Sequence, residues 1–278
     1  QQLWSKMVVY DIFDFYADHL RRTPGLLKRL IRAIDLWAIG RAQALILADD
    51  SRWEQIAGAR PKRSAVIYNS PEELVLPETR SSEPASTGLR LAYIGLLQVE
   101  RGLFQVLKVL QRHPEWSLDL AGFGGDEERI LVEAGGMPNV RWHGRVSYPQ
   151  ALQLSRAADV LFATYDPVIP NHRYSSPNKV FEAMLLGKPI LVAHGTNMDR
   201  IITDANCGLV VPYGDAPALE AALVQLQGNP ELCCRLGQNA RRAYETRYSW
   251  AVMQARLLQL YREVCPKGSG RSPGLAGA

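Results

Sequence analysis

YSSPNKVFEAMLLGKPILVA, residues 174–193, decides the reading of this chain, because it sets a turn, a lysine and a glutamate directly ahead of a buried strand. Ser176 is a good N-cap and Pro177 suits the first helical position, so the spacing predicts a helix over 177–186 that Gly187 stops. Lys179 falls in the first turn of that helix, where a cation opposes the macrodipole by about 0.3–1 kcal/mol unless an anion sits nearby. Free backbone N–H groups at the same end make a phosphate cradle. Glu182, further along, is a natural acceptor for sugar hydroxyls. The competing reading is a surface Lys179–Glu182 pair, but lysine ahead of glutamate is the weaker order for such a pair.

Length and composition frame this motif. A chain of 278 residues is long enough for two domains, and 47% hydrophobic with 22% charged residues is the make-up of a globular protein. No run of eighteen or more apolar residues is present, which excludes a membrane-spanning helix. A net charge of +4, with basic residues not interleaved with aromatics, argues against nucleic acid as a partner. Cys207, Cys233, Cys234 and Cys265 lack metal-ligand spacing, and the adjacent pair is a poor start for a disulfide framework, so a reducing cytoplasm is expected. The chain opens on Gln1, not Met, with no signal peptide to be read there.

Apolar runs at 7–12, 44–48 and 65–69 read as buried parallel strands. Between the first two, Leu26, Leu27, Leu30, Ile31, Ile34, Trp37 and Ala38 recur at helical spacing, with Lys28, Arg29 and Arg32 expected on the opposite, solvated face. Attachment of this basic helix to an anionic membrane is a side expectation. Between 71 and 88 the composition turns to Pro, Glu, Ser and Thr, as in a linker. Beyond it, strand-like runs at 89–95, 117–122, 139–144, 159–163, 188–193 and 207–211 alternate with helical patterns, and helices are expected over 216–227, 231–244 and 250–264. Such alternation defines a parallel, doubly wound sheet. Ligands of such sheets bind at the carboxyl ends of the strands, where Gly95, Gly122, Gly124, Gly144 and the Ser176 turn all fall.

With these residues assembled, the chain resembles the retaining, nucleotide-sugar glycosyltransferases of family 4, with the GT-B fold. The resemblance runs from 7 to 264 and is strongest at SSPNKVFEAMLLGKPILVA, LAYIGLLQVERGLFQVLKVL, LDLAGFGGDEERI, and VRWHGRV followed by LSRAADVLFA. It implies an α/β architecture of two Rossmann-like domains, the N-terminal one incomplete. The implied division is a partial acceptor-side domain over 1–75, a linker over 76–88, a nucleotide-sugar domain over 89–248, a crossing helix over 249–265 and a disordered tail over 266–278. Family members carry further residues ahead of the first strand, so the recorded chain is expected to be a fragment, or to work with a separate acceptor-domain chain, leaving an open sheet edge and apolar surface.

Carried over by position, Lys179 and Arg101 bind the donor diphosphate and Glu182 holds the ribose. Ser176 and Asn178 contact phosphate and sugar, and Gly95, Gly124, Arg145 and Val146 line the nucleotide. The resemblance implies no cofactor and no metal, since the helix dipole and the two cations can neutralise the leaving diphosphate. Three positions depart from the family pattern. Tyr174 replaces a glutamate, Leu96 stands where an arginine is common, and Phe13–Asp14 replaces a histidine–aspartate pair, leaving Asp14 as the catalytic candidate with helix capping as its alternative.

The implied activity is transfer of a hexose from a nucleotide-diphosphate donor to a glycan or lipid-linked acceptor in cell-surface polysaccharide synthesis. It would take place in the cytoplasm, with peripheral contact at the inner face of the membrane as a side expectation. A GT-B sugar-nucleotide 2-epimerase and a non-catalytic nucleotide-sugar-binding subunit are the alternatives.

Overall fold

The computed structural model describes residues 7–20, 23–74 and 88–265. Most of the expected linker and all of the expected tail lie outside those residues. The chain divides into two compact units, one running up to Ile67 and resuming at Met253, the other spanning Tyr68–Val252.

In the first unit, β1 (Val9–Ile12), the short α1 (Tyr16–His19), α2 (Gly25–Arg41), β2 (Ala44–Leu47), the short α3 (Arg52–Gln55) and β3 (Ser64–Val66) follow one another. The strands are parallel in the order β1-β2-β3, with Val9 opposite Ala44 and Leu45 opposite Ser64. All of β2 is buried, as its unbroken apolar run requires of a parallel strand covered on both faces. Among the described residues β1 pairs with β2 alone, so it forms an edge.

The orientation of α2 is a correction. Its packed face carries Ile31, Leu36 and Ile39, against Phe15, Leu45 and Leu47. Of the expected inner stripe, Ile31 packs inward and Ala38 is half-buried, but Leu26, Leu27, Leu30, Ile34 and Trp37 are exposed, Leu26 at 81%. Two of the bases turn toward the unit instead of away from it. Lys28 pairs with Asp18 at 3.5 Å, while Arg32 lies over the Phe15 ring and donates to the Gln55 carbonyl. Long basic side chains can lay their methylene stems on apolar surface while their heads find partners, and this reverses the face that hydropathy alone selects.

The second unit contains β4 (Arg90–Leu96), α4 (Leu103–Arg112), β5 (Ser117–Phe123), α5 (Glu127–Ala134), β6 (Val140–Trp142), α6 (Tyr148–Ala157), β7 (Val160–Ala163), the short α7 (Pro170–Arg173), α8 (Asn178–Leu186), β8 (Ile190–Ala193), α9 (Asn197–Ala205), β9 (Gly208–Val211), α10 (Ala216–Gln227) and α11 (Pro230–Ala243). Its six strands are all parallel, in the order β6-β5-β4-β7-β8-β9. From β4 the chain winds outward through β5 to β6, then returns to the other side of β4 and winds the opposite way. The crevice between the carboxyl ends of β4 and β7 is therefore the switch point of the sheet. The core beneath is built from Leu91, Tyr93, Leu107, Leu118, Leu120 and Phe162, all close to fully buried.

Two expected boundaries move. The strand expected over 65–69 ends at Val66, because Tyr68 packs its ring on Phe181 and Tyr248 at 5.5 and 5.1 Å. With Tyr244 donating to the Pro71 carbonyl at 2.8 Å and Arg241 pairing with Glu73 at 2.6 Å, the second unit begins near residue 68 and not after 75. The last helix, α12 (Trp250–Val264), counts with the first unit from Met253 on; Leu257, Leu260 and Val264 pack with Ala44 and Ile46.

At the end of α4 the His113 ring lies flat on Trp116, with 3.9 Å between centroids. Its Nε2 stands 2.7 Å from Glu220 and its Nδ1 3.1 Å from Glu115. Burial opposes the imidazolium charge, but the two carboxylates outweigh it and hold the pKa above the ordinary histidine value. A raised folded-state pKa gives stability that is complete below the unfolded value, about 6.5, and is lost as pH rises through the folded value. Thermal melts between pH 6 and 9 should therefore show the wild-type advantage over His113→Gln shrinking as pH rises, and an advantage that stays constant would contradict this assignment.

Candidate functional site

Lys179 lies in the first turn of α8, as expected, but the cap differs. Pro177 takes the N-cap position with extended backbone at φ −69° and ψ 147°, and no side chain caps the helix. Ser176 stands one residue earlier, buried, its carbonyl accepting from Asn69 Nδ2 at 3.2 Å. Proline fixes φ but leaves ψ free, and here ψ stays extended, so the helix starts at Asn178. The N-cap residue thus offers the first-turn N–H groups no side-chain acceptor of its own.

From this turn Lys179 reaches across the switch point to the end of β4. Its ammonium donates to the Ile94 carbonyl and sits over the Tyr93 ring, 4.3 Å from the centroid. Gly95 makes this approach feasible. A Cβ built there would lie 2.2 Å from the Lys179 nitrogen, and the residue has φ +152°, which side chains rarely adopt. Arg101, in the single helical turn Val99–Arg101 that follows β4, lies over the Tyr165 ring at 4.3 Å. Its Nε donates to Gln98 Oε1 at 2.9 Å.

The electrostatics of this corner are those of two cations held together. Burial lowers the Lys179 pKa; Tyr165 and Glu182 act against that, and Arg101 adds to it. Burial also opposes the Arg101 charge, yet Tyr165 and Tyr93 leave its pKa above the ordinary arginine value. Glu182, on α8 with Lys179, has its pKa raised by burial, while Lys179 and a hydrogen bond with the Tyr148 hydroxyl pull it back. Burial, and then Glu182, raise the Tyr148 phenol in turn. A partly buried corner with more cationic than anionic character suits an anion.

The remaining expected residues fall around this corner or apart from it. Gly124 follows β5, where a Cβ would lie 2.4 Å from the Leu97 carbonyl oxygen. Arg145 follows β6 and lays its guanidinium over the exposed Phe123 ring at 4.1 Å, with the half-buried Val146 beside it in sequence. Asn178 is exposed at the start of α8, and Tyr174 ends α7 with the Arg173 guanidinium 5.6 Å from its ring centre.

Asp14 belongs to the first unit. Its Oδ1 accepts from Arg52 at 2.9 Å and its Oδ2 stands 3.5 Å from His19. Phe15, not Asp14, is the N-cap of α1, with no side-chain cap bond, so the capping alternative is not what the structure holds. Asp14 is instead the counter-charge of the buried Arg52.

Sequence reading missed Tyr93, Tyr165, Tyr148 and Phe123. Each is an aromatic set against a charged residue from another element, and no local pattern signals such pairing.

Among the described residues no three His, Cys, Asp or Glu side chains are grouped to hold a metal ion. No described helix is long and apolar enough to cross a membrane.

A doubly wound parallel sheet with its switch point between β4 and β7 defines an α/β protein of the Rossmann-like class. The sequence family described as glycosyl transferases group 1 matches residues 77–243, more than half of the chain, and the chain belongs to that family. Phosphatidyl-myo-inositol mannosyltransferase of Mycobacterium leprae is 33% identical over 147 residues, 52% of this chain and 37% of that protein. Alpha-D-kanosaminyltransferase of Streptomyces kanamyceticus is 25% identical over 262 residues, 86% of this chain and 66% of that protein. The matches thus span between 37% and 66% of these relatives' own length. Among solved structures, Anabaena HepE in complex with UDP and glucose superposes with a TM-score of 0.74 at 16% identity, over 92% of this chain and 72% of that one. Sucrose-phosphate synthase from Thermosynechococcus elongatus gives 0.73 at 16%, over 95% and 70%. Identities this low speak to fold alone, and that fold is the α/β, GT-B class expected from the sequence.

Proposed function

We propose that the Tyr68–Val252 unit grips the diphosphate of a nucleotide sugar, and that the protein transfers the sugar to a glycan or lipid-linked acceptor. The observation that carries this reading is the meeting of Lys179 and Arg101 at the β4–β7 switch point, beside the N-terminus of α8. In a retaining transfer the bond between the anomeric carbon and the diphosphate breaks, the acceptor oxygen bonds to that carbon on the same face, and the acceptor proton passes to the departing diphosphate oxygen. Charge then develops on the departing diphosphate. Two fixed cations and the helix end stabilise that charge without metal, which supports metal-independent chemistry. Glu182, with Tyr148 holding one side of its carboxylate, is left to accept from ribose hydroxyls.

The relatives named as mannosyl- and kanosaminyltransferases, and HepE with its UDP, support a nucleoside-diphosphate donor. Glycolipid or surface-polysaccharide synthesis on the cytoplasmic side fits that chemistry. Peripheral membrane contact would rest on the exposed apolar stripe of α2, since Lys28 and Arg32 are engaged within their own unit.

A saturation-transfer NMR screen with UDP-, GDP- and ADP-sugars tests this reading. Binding of at least one is expected, and no binding by folded protein would reject it. Product analysis with and without lipid or glycan acceptors then separates transfer from epimerisation, and a binder that forms no product under either condition is a donor-binding subunit.

A further inference from the structure

Lys179 and Arg101 are like charges in a partly buried corner, an arrangement that calls for something besides a transient ligand to hold it. Each cation stands on an aromatic face at the same distance, Lys179 over Tyr93 and Arg101 over Tyr165, both 4.3 Å from the ring centre. Both rings are nearly fully buried and cannot swing away. Tyr93 is fixed further by its hydroxyl, which donates to the Leu96 carbonyl at 2.7 Å, and by the Phe162 ring 5.3 Å away. Tyr165 lies beside the His172 ring at 5.3 Å.

We infer that Tyr93 and Tyr165 are positioning residues: their ring faces form a floor that keeps Lys179 and Arg101 charged and side by side before any anion arrives. The negative face of an aromatic ring attracts a cation, most effectively where water is excluded. Such a floor offsets part of the Lys179–Arg101 repulsion, so an incoming diphosphate meets a pair that needs no rearrangement. The inference deepens the donor-site reading and rests on it for the identity of the anion.

The test separates ring electrostatics from packing. Tyr93→Phe and Tyr165→Phe serve as references, and at each position the phenylalanine is then replaced by its trifluorinated analogue. Fluorination drains the ring face while nearly conserving shape, and the lost hydroxyl is common to both members of each pair. The Lys179 ammonium pKa is read by NMR in the ligand-free protein, and inorganic pyrophosphate affinity by calorimetry.

Fluorination at 93 should lower the Lys179 pKa, and fluorination at either position should weaken pyrophosphate binding by roughly two- to thirtyfold relative to its phenylalanine reference. A purely structural ring would leave both readouts unmoved, and that result would overturn the inference. If folded wild-type protein bound neither pyrophosphate nor any nucleotide sugar, the donor reading would fall, while the Lys179 pKa would still decide whether the floor exists. Tyr93→Leu or Tyr165→Leu, if folded, should weaken binding at least as much as the fluorinated ring.

Discussion

Lys179→Ala should weaken nucleoside-diphosphate binding by roughly 10- to 150-fold, the range expected for removing a charged hydrogen-bond partner worth about 1.5–3 kcal/mol. The reason is positional. Lys179 comes from α8, the helix leading into β8, yet delivers its charge to the end of β4, where Arg101 stands on the other side of the switch point. Overall stability should hold, because the lost contact is a partly buried lysine whose desolvation disfavours its charge.

The same lysine sets a pH dependence. With its ligand-free pKa lowered, an arriving diphosphate raises it, so binding at alkaline pH draws a proton onto Lys179. Affinity is complete below the ligand-free value and is lost as pH rises through the bound value. Calorimetry in buffers of different ionisation enthalpy would reveal that proton uptake. Unchanged affinity in the alanine variant would remove Lys179 from the site.

Gly122→Ala should be the most damaging single-methyl change near the site, lowering unfolding free energy by more than about 3 kcal/mol in urea titration. Gly122 on β5 pairs with Gly95 on β4, and a Cβ there would lie 1.8 Å from the Gly95 carbonyl oxygen. Backbone, not a flexible side-chain tip, would have to move. The residue also has φ +142°, which adds strain for any side chain. Because Gly95 adjoins the carbonyl that receives Lys179, residual folded protein should lose diphosphate affinity as well. Gly125→Ala is the control: nothing lies within 4 Å of its built Cβ, and it should melt like the wild type. A Gly122→Ala protein as stable as that control would refute this packing argument.

Much of the architecture was legible before any coordinates. The alternation of apolar runs with helical patterns located each strand to within a few residues, because a parallel strand buried on both faces must be apolar throughout. Glycines at the strand ends and the lysine ahead of Glu182 pointed to one end of one sheet. Two misjudgements show where pattern stops. On α2 the hydropathy stripe and the packed stripe share Ile31 but otherwise diverge, since Asp18, Gln55 and Phe15 offer Lys28 and Arg32 partners inside the unit. At α8 the helix begins one residue late because Pro177 keeps an extended ψ, a choice its ring does not dictate.

The sequence by itself determined the fold class and the place of Lys179, which follow from local order and spacing along the chain, and its motifs carried the resemblance that pointed to the family and to Arg101. Only the tertiary structure decided that Tyr93 and Tyr165 lie beneath those cations, that Tyr148 holds Glu182, and that Asp14 answers the charge of Arg52. Those pairs come from separate elements, and they meet because the doubly wound sheet and the small parallel sheet bring the elements together, a distance relation that no periodicity along the chain records.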